Sequence, residues 1–266
     1  MIYSVISSFK TFSQVASIIV ILVGCFVLVG WVFNIAIFKS IHTSLVTMKA
    51  NTAFAFLLSG VSLWMMCKQK LGHRERRIAQ TCTAIVALIG LFTLTEYMFG
   101  WNLGIDQLLF KESATAVGTS HPGRMAPTTA LNFLMLGSAL LLLDTPHGFR
   151  ATQFFAFTGG LIGLLNFVGY AYSIKALYGI ASYTQMAVHT AAVFIVLSIG
   201  ILFARPNRGV MAIVTSSSVG GIIARRLLPV AIGVPFVLGW LRLGGEQAGL
   251  YGTEFGVSLT VLLSIV

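Results

Sequence analysis

Long apolar stretches alternate with short charged ones along the whole chain. Runs free of Asp, Glu, Lys and Arg include 11–38, 50–67, 78–95, 125–143, 151–174, 176–204, 227–241 and 255–266. A helix needs about 20 mostly apolar residues to cross about 30 Å of hydrocarbon. The runs therefore predict spans near 15–38, 51–67, 79–100, 127–143, 152–174, 184–204 and 227–243, with an eighth starting near 254. The last run is too short to cross a bilayer, so the chain is expected to end inside a helix: either the sequence is a piece of a longer protein or its eighth helix is incomplete. No signal-peptide cleavage pattern precedes the first span, which is expected to be retained.

The pattern also repeats. The second span opens with Met48, Asn51, Thr52, Ala53 and Phe56, followed by Gly60. The fourth opens with Met125, Thr128, Thr129, Ala130 and Phe133, followed by Gly137, and the sixth with Met186, His189, Thr190, Ala191 and Phe194, followed by Ser198. Met, Thr, Phe and the small residue stand four apart, so they form one stripe along a helix. Thr and small residues on such a stripe let helices approach closely in lipid, which makes Thr52, Thr129, Thr190, Gly60 and Gly137 candidate packing positions. The odd spans carry a second pattern, a Gly followed seven residues later by an aromatic: Gly24 with Trp31, Gly90 with Tyr97, Gly163 with Tyr170 and Gly233 with Trp240. These aromatics fall near helix ends, as an interfacial belt would.

The expected fold is an all-α polytopic membrane protein of about eight transmembrane helices, arranged as four tandem helical hairpins in parallel repeat. The whole of 1–266 forms a single integral membrane domain, with hairpins at about 15–67, 79–143, 152–204 and 227–266. The weak match of the last hairpin puts Thr260 at the Thr position. Residues 205–226, with Arg205-Pro206-Asn207-Arg208-Gly209 and a Ser216-Ser217-Ser218 run, are expected to form a short amphipathic cytoplasmic linker. Pro229 suits the first turn of the seventh span, and Pro235 should kink it.

Composition agrees with this reading. Only 9% of residues are charged and 57% are hydrophobic, against roughly a quarter charged in ordinary soluble domains. That excludes a soluble enzyme, a disordered protein and a nucleic-acid-binding domain. The net charge of +10 is accounted for by topology instead. Eleven basic residues (Lys10, Lys68, Lys70, Arg74, Arg76, Arg77, Arg150, Arg205, Arg208, Arg225 and Arg226) share one side, and six (Lys39, Lys49, Lys111, Arg124, Lys175 and Arg242) the other. The positive-inside rule then predicts a cytoplasmic N-terminus and an outer 101–126 loop. Cys25, Cys67 and Cys82 form no framework and read as packing residues.

Few residues carry candidate chemistry. Glu96 is the one acid embedded in a span, and an intramembrane carboxyl is a functional candidate by default. His189 is the one His inside a span, at the position of Asn51 and Thr128. Met186 and His189, three apart on one face, make a weak candidate for a soft metal, and no metal is expected. The 101–126 loop, with Asp106, reads as an interfacial helix or a lid. No nucleotide-binding, metalloprotease, serine-hydrolase, kinase or cyclase motif is present, so no catalytic residue and no cofactor is expected.

Several stretches resemble the multi-helix N-terminal membrane input region of bacterial sensory histidine kinases and diguanylate cyclases. They are Glu96-Tyr97-Met98-Phe99-Gly100-Trp101-Asn102-Leu103-Gly104-Ile105-Asp106, Arg124-Met125-Ala126-Pro127-Thr128-Thr129-Ala130, Gly179–Ala191, and Gly220-Gly221 with Arg225-Arg226-Leu227-Leu228-Pro229. The resemblance covers about residues 15–266. It implies a sensory module followed in the same chain by PAS and output modules, commonly working as a homodimer in the lipid bilayer. The expected signal is an unknown small ligand or a property of the membrane, met near Glu96, His189, Asn51, Tyr97, Tyr170 and Asp106. The rival classes are a small-solute transporter or channel built from parallel repeats, and a membrane scaffold without a ligand.

Overall fold

The computed structural model describes residues 2–258 apart from 69–70, 114, 175–176 and 178–182. Lys70, Lys175, the Gly179–Ser182 part of the resemblance, Thr260 and most of the eighth span lie outside the described residues. Nine helices run through the rest: α1 Ile2–Val32, α2 Ala36–Lys39, α3 Ala50–Met66, α4 His73–Phe99, α5 Pro127–Leu142, α6 Phe149–Ala171, α7 Val188–Ala204, α8 Gly209–Thr215 and α9 Val219–Gln247. No strand occurs among the described residues.

Four stretches are long and apolar enough to cross a membrane: Val5–Val32, His73–Phe99, Phe149–Ala171 and Val219–Gln247. The α7–α8 pair, bent by 81°, makes a fifth if counted as one span. The other two expected spans are shorter. α3 and α5 have 17 and 16 residues, which at 1.5 Å per residue is about 25 Å. The eighth expected span is described only over its first turn, residues 253–258.

Local signals set the helix ends. Pro127 occupies the first turn of α5, where its missing N–H costs nothing. Gly100 closes α4 in the left-handed conformation, at φ 67°. α9 starts ten residues before Pro229, because the Ser218 side chain accepts from the Gly221 N–H and caps the helix there. The linker therefore holds only the seven-residue α8, and Pro229 and Pro235 both lie inside α9.

α1 packs against α3, α4 against α5, and α6 against α7. α3 also meets α4, α5 meets α6, and α1 meets α7, which closes a six-helix ring. α3, α5 and α7 touch one another inside it. At the centre the rings of Phe56, Phe133 and Phe194 form a triangle with centroid separations of 4.9, 4.8 and 4.7 Å. All three side chains are fully buried. Edge-to-face and tilted contacts at these distances are favoured geometries for aromatic pairs, and the three rings fill the axis at this level.

The aligned positions have matching neighbours. A Cβ on Gly24 would stand 2.8 Å from the Ala53 carbonyl, one on Gly90 2.5 Å from that of Ala130, and one on Gly163 3.1 Å from that of Ala191. Backbone therefore packs on backbone at all three seams. One turn on, Gly60 faces Ile21 and Gly137 faces Ala87, while Ser198 faces Gly160. In the third pair the small residue has changed helices. Thr52, Thr129 and Thr190 are buried, as are Met48, Met125 and Met186.

The pattern ends at α9. A Cβ on Gly233 would meet nothing within 4 Å, and Trp240 is exposed. α9 instead leans on α6, where the Tyr172 hydroxyl donates to the Phe236 carbonyl at 2.6 Å.

Candidate functional site

The N-terminal ends of α3, α5 and α7 lie at one end of the ring, and the 101–126 loop is fastened across them. The 101–110 stretch forms turns and irregular backbone rather than an interfacial helix. Gly104 and Gly123 take positive φ, and Asp106 turns inward to an arginine, so the alternation of an amphipathic helix never forms.

Two buried charge clusters hold the loop. In the first, the Arg124 Nε donates to Asp106 Oδ2 at 2.7 Å and its Nη2 donates to the Trp101 carbonyl at 3.2 Å. The same Nη2 lies 3.4 Å from Glu96 Oε1, which also accepts the Leu103 N–H at 2.8 Å. The guanidinium sits over the Tyr97 ring, 5.2 Å from its centroid. Glu96 is 0% exposed and Arg124 4%. Two carboxyl groups thus face one guanidinium out of water. Glu96 Oε2 and Asp106 Oδ1 are buried and have no hydrogen-bond partner among the described residues. A cavity of about 220 Å³ adjoins this cluster, lined by Asn102, Asp106, Gln107, His121 and Arg124.

In the second cluster, the Lys49 Nζ donates to both oxygens of Glu112 at 2.7 Å and to Thr119 Oγ1 at 2.6 Å. Glu112 also accepts from Thr47 Oγ1 and from the Gly123 N–H. Burial outweighs the pull of Glu112 and holds the Lys49 ammonium below the usual lysine range. Further bonds extend the seal. Asn51 Nδ2 donates to the Gly123 carbonyl at 3.2 Å, Ser120 exchanges bonds with Thr184, and the Gln185 N–H donates to the Gly118 carbonyl.

The expected site residues divide into three groups. Glu96, Asp106 and Tyr97 meet around Arg124, with Asn51 bonded to the neighbouring Gly123. Tyr170 stands apart, donating from its hydroxyl to the Met186 carbonyl at 2.6 Å. Tyr97 makes the matching bond to Met125 at 3.0 Å, and the Trp31 indole N–H donates to the Met48 carbonyl at 3.0 Å. Three of the four aromatics read as an interfacial belt, Trp31, Tyr97 and Tyr170, therefore also clamp the segment before an inner helix. His189 lies at a different cavity, of about 340 Å³, with Phe26, Val27, Ile37 and Phe38. Its Nε2 is buried without a hydrogen-bond partner among the described residues. No group of three or more His, Cys, Asp or Glu side chains placed to hold a metal occurs among the described residues.

Arg124, Lys49 and Glu112 were not singled out from the sequence, where Arg124 and Lys49 counted only toward topology. One signal was available. Lys49 follows Met48 where Ala126 and Ala187 follow their own methionines, and all three positions are buried. A lysine at an alanine position in an aligned pattern points to a buried partner.

At the opposite end, Arg205 donates to both oxygens of Asp144 and to the Met66 carbonyl, tying the ends of α3, α5 and α7 together. A cation there complements the negative ends of three helices. No family model, curated protein or solved structure matches this chain.

Proposed function

We propose that the chain is a membrane-embedded sensory input module of a bacterial inner membrane, built of tandem helical hairpins with the 101–126 loop on the outer side. In this reading the loop and its buried charge clusters receive the signal. The hairpins shift relative to one another, and the helices after α7 carry the shift, within a homodimer, to a cytoplasmic output domain of the histidine-kinase or cyclic-di-GMP type. A signal can bias only an element that has two arrangements. The observation that carries the reading is a lid held to the bundle end by two removable charge clusters over a filled axis.

The transporter or channel alternative needs a wet path between the inner helices, and the Phe56–Phe133–Phe194 triangle occupies that place. A scaffold without a ligand gives no reason for two carboxyl groups around one buried arginine. Sequencing the gene beyond Val266 tests the sensory reading: an in-frame PAS, kinase or cyclase module supports it, and a stop codon soon after Val266 counts against it. Reporter fusions to the 101–126 loop and to the N-terminus test the orientation.

A further inference from the structure

Charge arithmetic singles out the Glu96 cluster. Glu96 and Asp106 touch the same guanidinium, at 3.4 Å and 2.7 Å, which sets the two carboxyl groups side by side. With both ionised, the cluster holds one negative charge in excess, out of water, with Glu96 Oε2 and Asp106 Oδ1 unpartnered among the described residues. Unpaired buried carboxylate oxygens are costly, and two ionised carboxylates side by side repel. One added positive charge removes both problems. A metal ion in the adjoining cavity would meet Asp106 but not Glu96, which does not line it. A proton needs no cavity, and it supplies the donor that a carboxyl–carboxylate contact lacks.

We propose that Glu96 and Asp106 share one proton and that this proton latches the 101–124 loop to α4. The hydrogen lies between Glu96 Oε2 and Asp106 Oδ1, and Arg124 balances the remaining negative charge. When solvent hydroxide rises, the proton leaves through the cavity lined by Asp106 and His121. The two carboxylates then repel across one guanidinium, and the loop releases at Leu103. The other groups facing the pair are few. On α4 it is Tyr97, whose ring lies under Arg124. From the loop they are Arg124 and His121, and His121 stands edge-on to Tyr97 at 6.3 Å. Lys49 and Glu112 reach the cluster only through the Gly123 backbone. As the signal of a sensory module the proton rests on the reading above; as a latch it does not.

The Leu103 amide, which donates to Glu96 Oε1, reports the latch directly. Hydrogen exchange is followed on the full chain in lipid nanodiscs from pH about 5 to about 9, with protection factors corrected for intrinsic rates. Leu103 is expected to lose at least tenfold in protection across that range, while amides of α7 do not change. Glu96→Gln keeps an acceptor for Leu103 and a donor for Asp106, so its Leu103 protection should be high and flat with pH. Asp106→Asn, the complementary variant, should be flat as well, with α7 protection certifying its fold. A flat wild-type profile overturns the latch, as does a Glu96→Gln profile that still falls. Protection that depends on Na⁺, K⁺ or Ca²⁺ at constant pH and ionic strength overturns the proton in favour of a metal ion. A pH response at Leu103 with no change in output activity leaves the latch standing and sinks the sensory reading.

Discussion

The Tyr97 hydroxyl donates to the Met125 main-chain carbonyl, joining α4 to the extended segment that leads into α5. Trp31 with Met48 and Tyr170 with Met186 make the same bond in the flanking helix pairs. Each bond satisfies a carbonyl just ahead of an inner helix, where no helical N–H reaches it. Tyr97→Phe and Tyr170→Phe should each lower stability by about 1–2 kcal/mol through a carbonyl left dry, read as a drop in Tm in detergent. If neither shifts Tm, the carbonyls have another partner and the clamps do not matter.

Close backbone contact predicts a sharp contrast among glycines. Gly90→Ala would press a methyl against the Ala130 carbonyl and the Leu134 N–H, and should cost about 1–3 kcal/mol as overpacking. Gly233→Ala meets open space and should be neutral or slightly stabilising, since alanine is the better helix former. Equal Tm changes for the two would show that α9 is packed in the membrane in a way its exposed face does not reveal.

The buried Lys49–Glu112 pair calls for a double-mutant cycle. Lys49→Met or Glu112→Leu alone strands a buried charge without its partner and should cost about 3–5 kcal/mol. The double variant Lys49→Met with Glu112→Leu removes both charges and should cost much less than the two single changes added together. Strict additivity in thermal unfolding would mean that the two groups do not depend on each other.

Filling of the axis separates a sensor from a pore. Wild-type protein in liposomes should pass neither ions nor small solutes. Phe133→Ala removes one corner of the aromatic triangle, and with it two of the three ring contacts, and should cost about 3–5 kcal/mol. Steady flux through the wild type in a dye-release assay would return the transporter reading to first place.

Much of the ring was legible in the sequence, because its seams are made by residues at fixed short spacing. The Met–Thr–Phe stripe and the leading glycines are local patterns, and Gly24, Gly90 and Gly163 land at helix seams while Gly233 does not. The role of Trp31, Tyr97 and Tyr170 was not legible, because a tyrosine reaching lipid headgroups and one reaching a carbonyl occupy the same helix position. Nor was the 101–126 loop. Its shape depends on Lys49 meeting Glu112 and on Asp106 meeting Arg124, pairings between distant residues that no periodicity encodes. The start of α9 was missed because Pro229 is a strong helix-start signal, while Ser218 was one serine in a run of three.

Ring closure has a consequence for how the chain is made. The α1–α7 seam is fastened by the Ser13 hydroxyl donating to the Gly200 carbonyl at 2.7 Å, across 187 residues of sequence. Ser17 lies on the same helix and is also buried. When α1 leaves the ribosome its eventual neighbour α7 does not yet exist, so this serine-bearing face must wait in the bilayer, or in the care of the insertion machinery, until α7 arrives. Among the ring helices α1 is thus one of the last to find its full set of neighbours, and a chain stalled after α5 would present an unfinished edge for quality control to recognise.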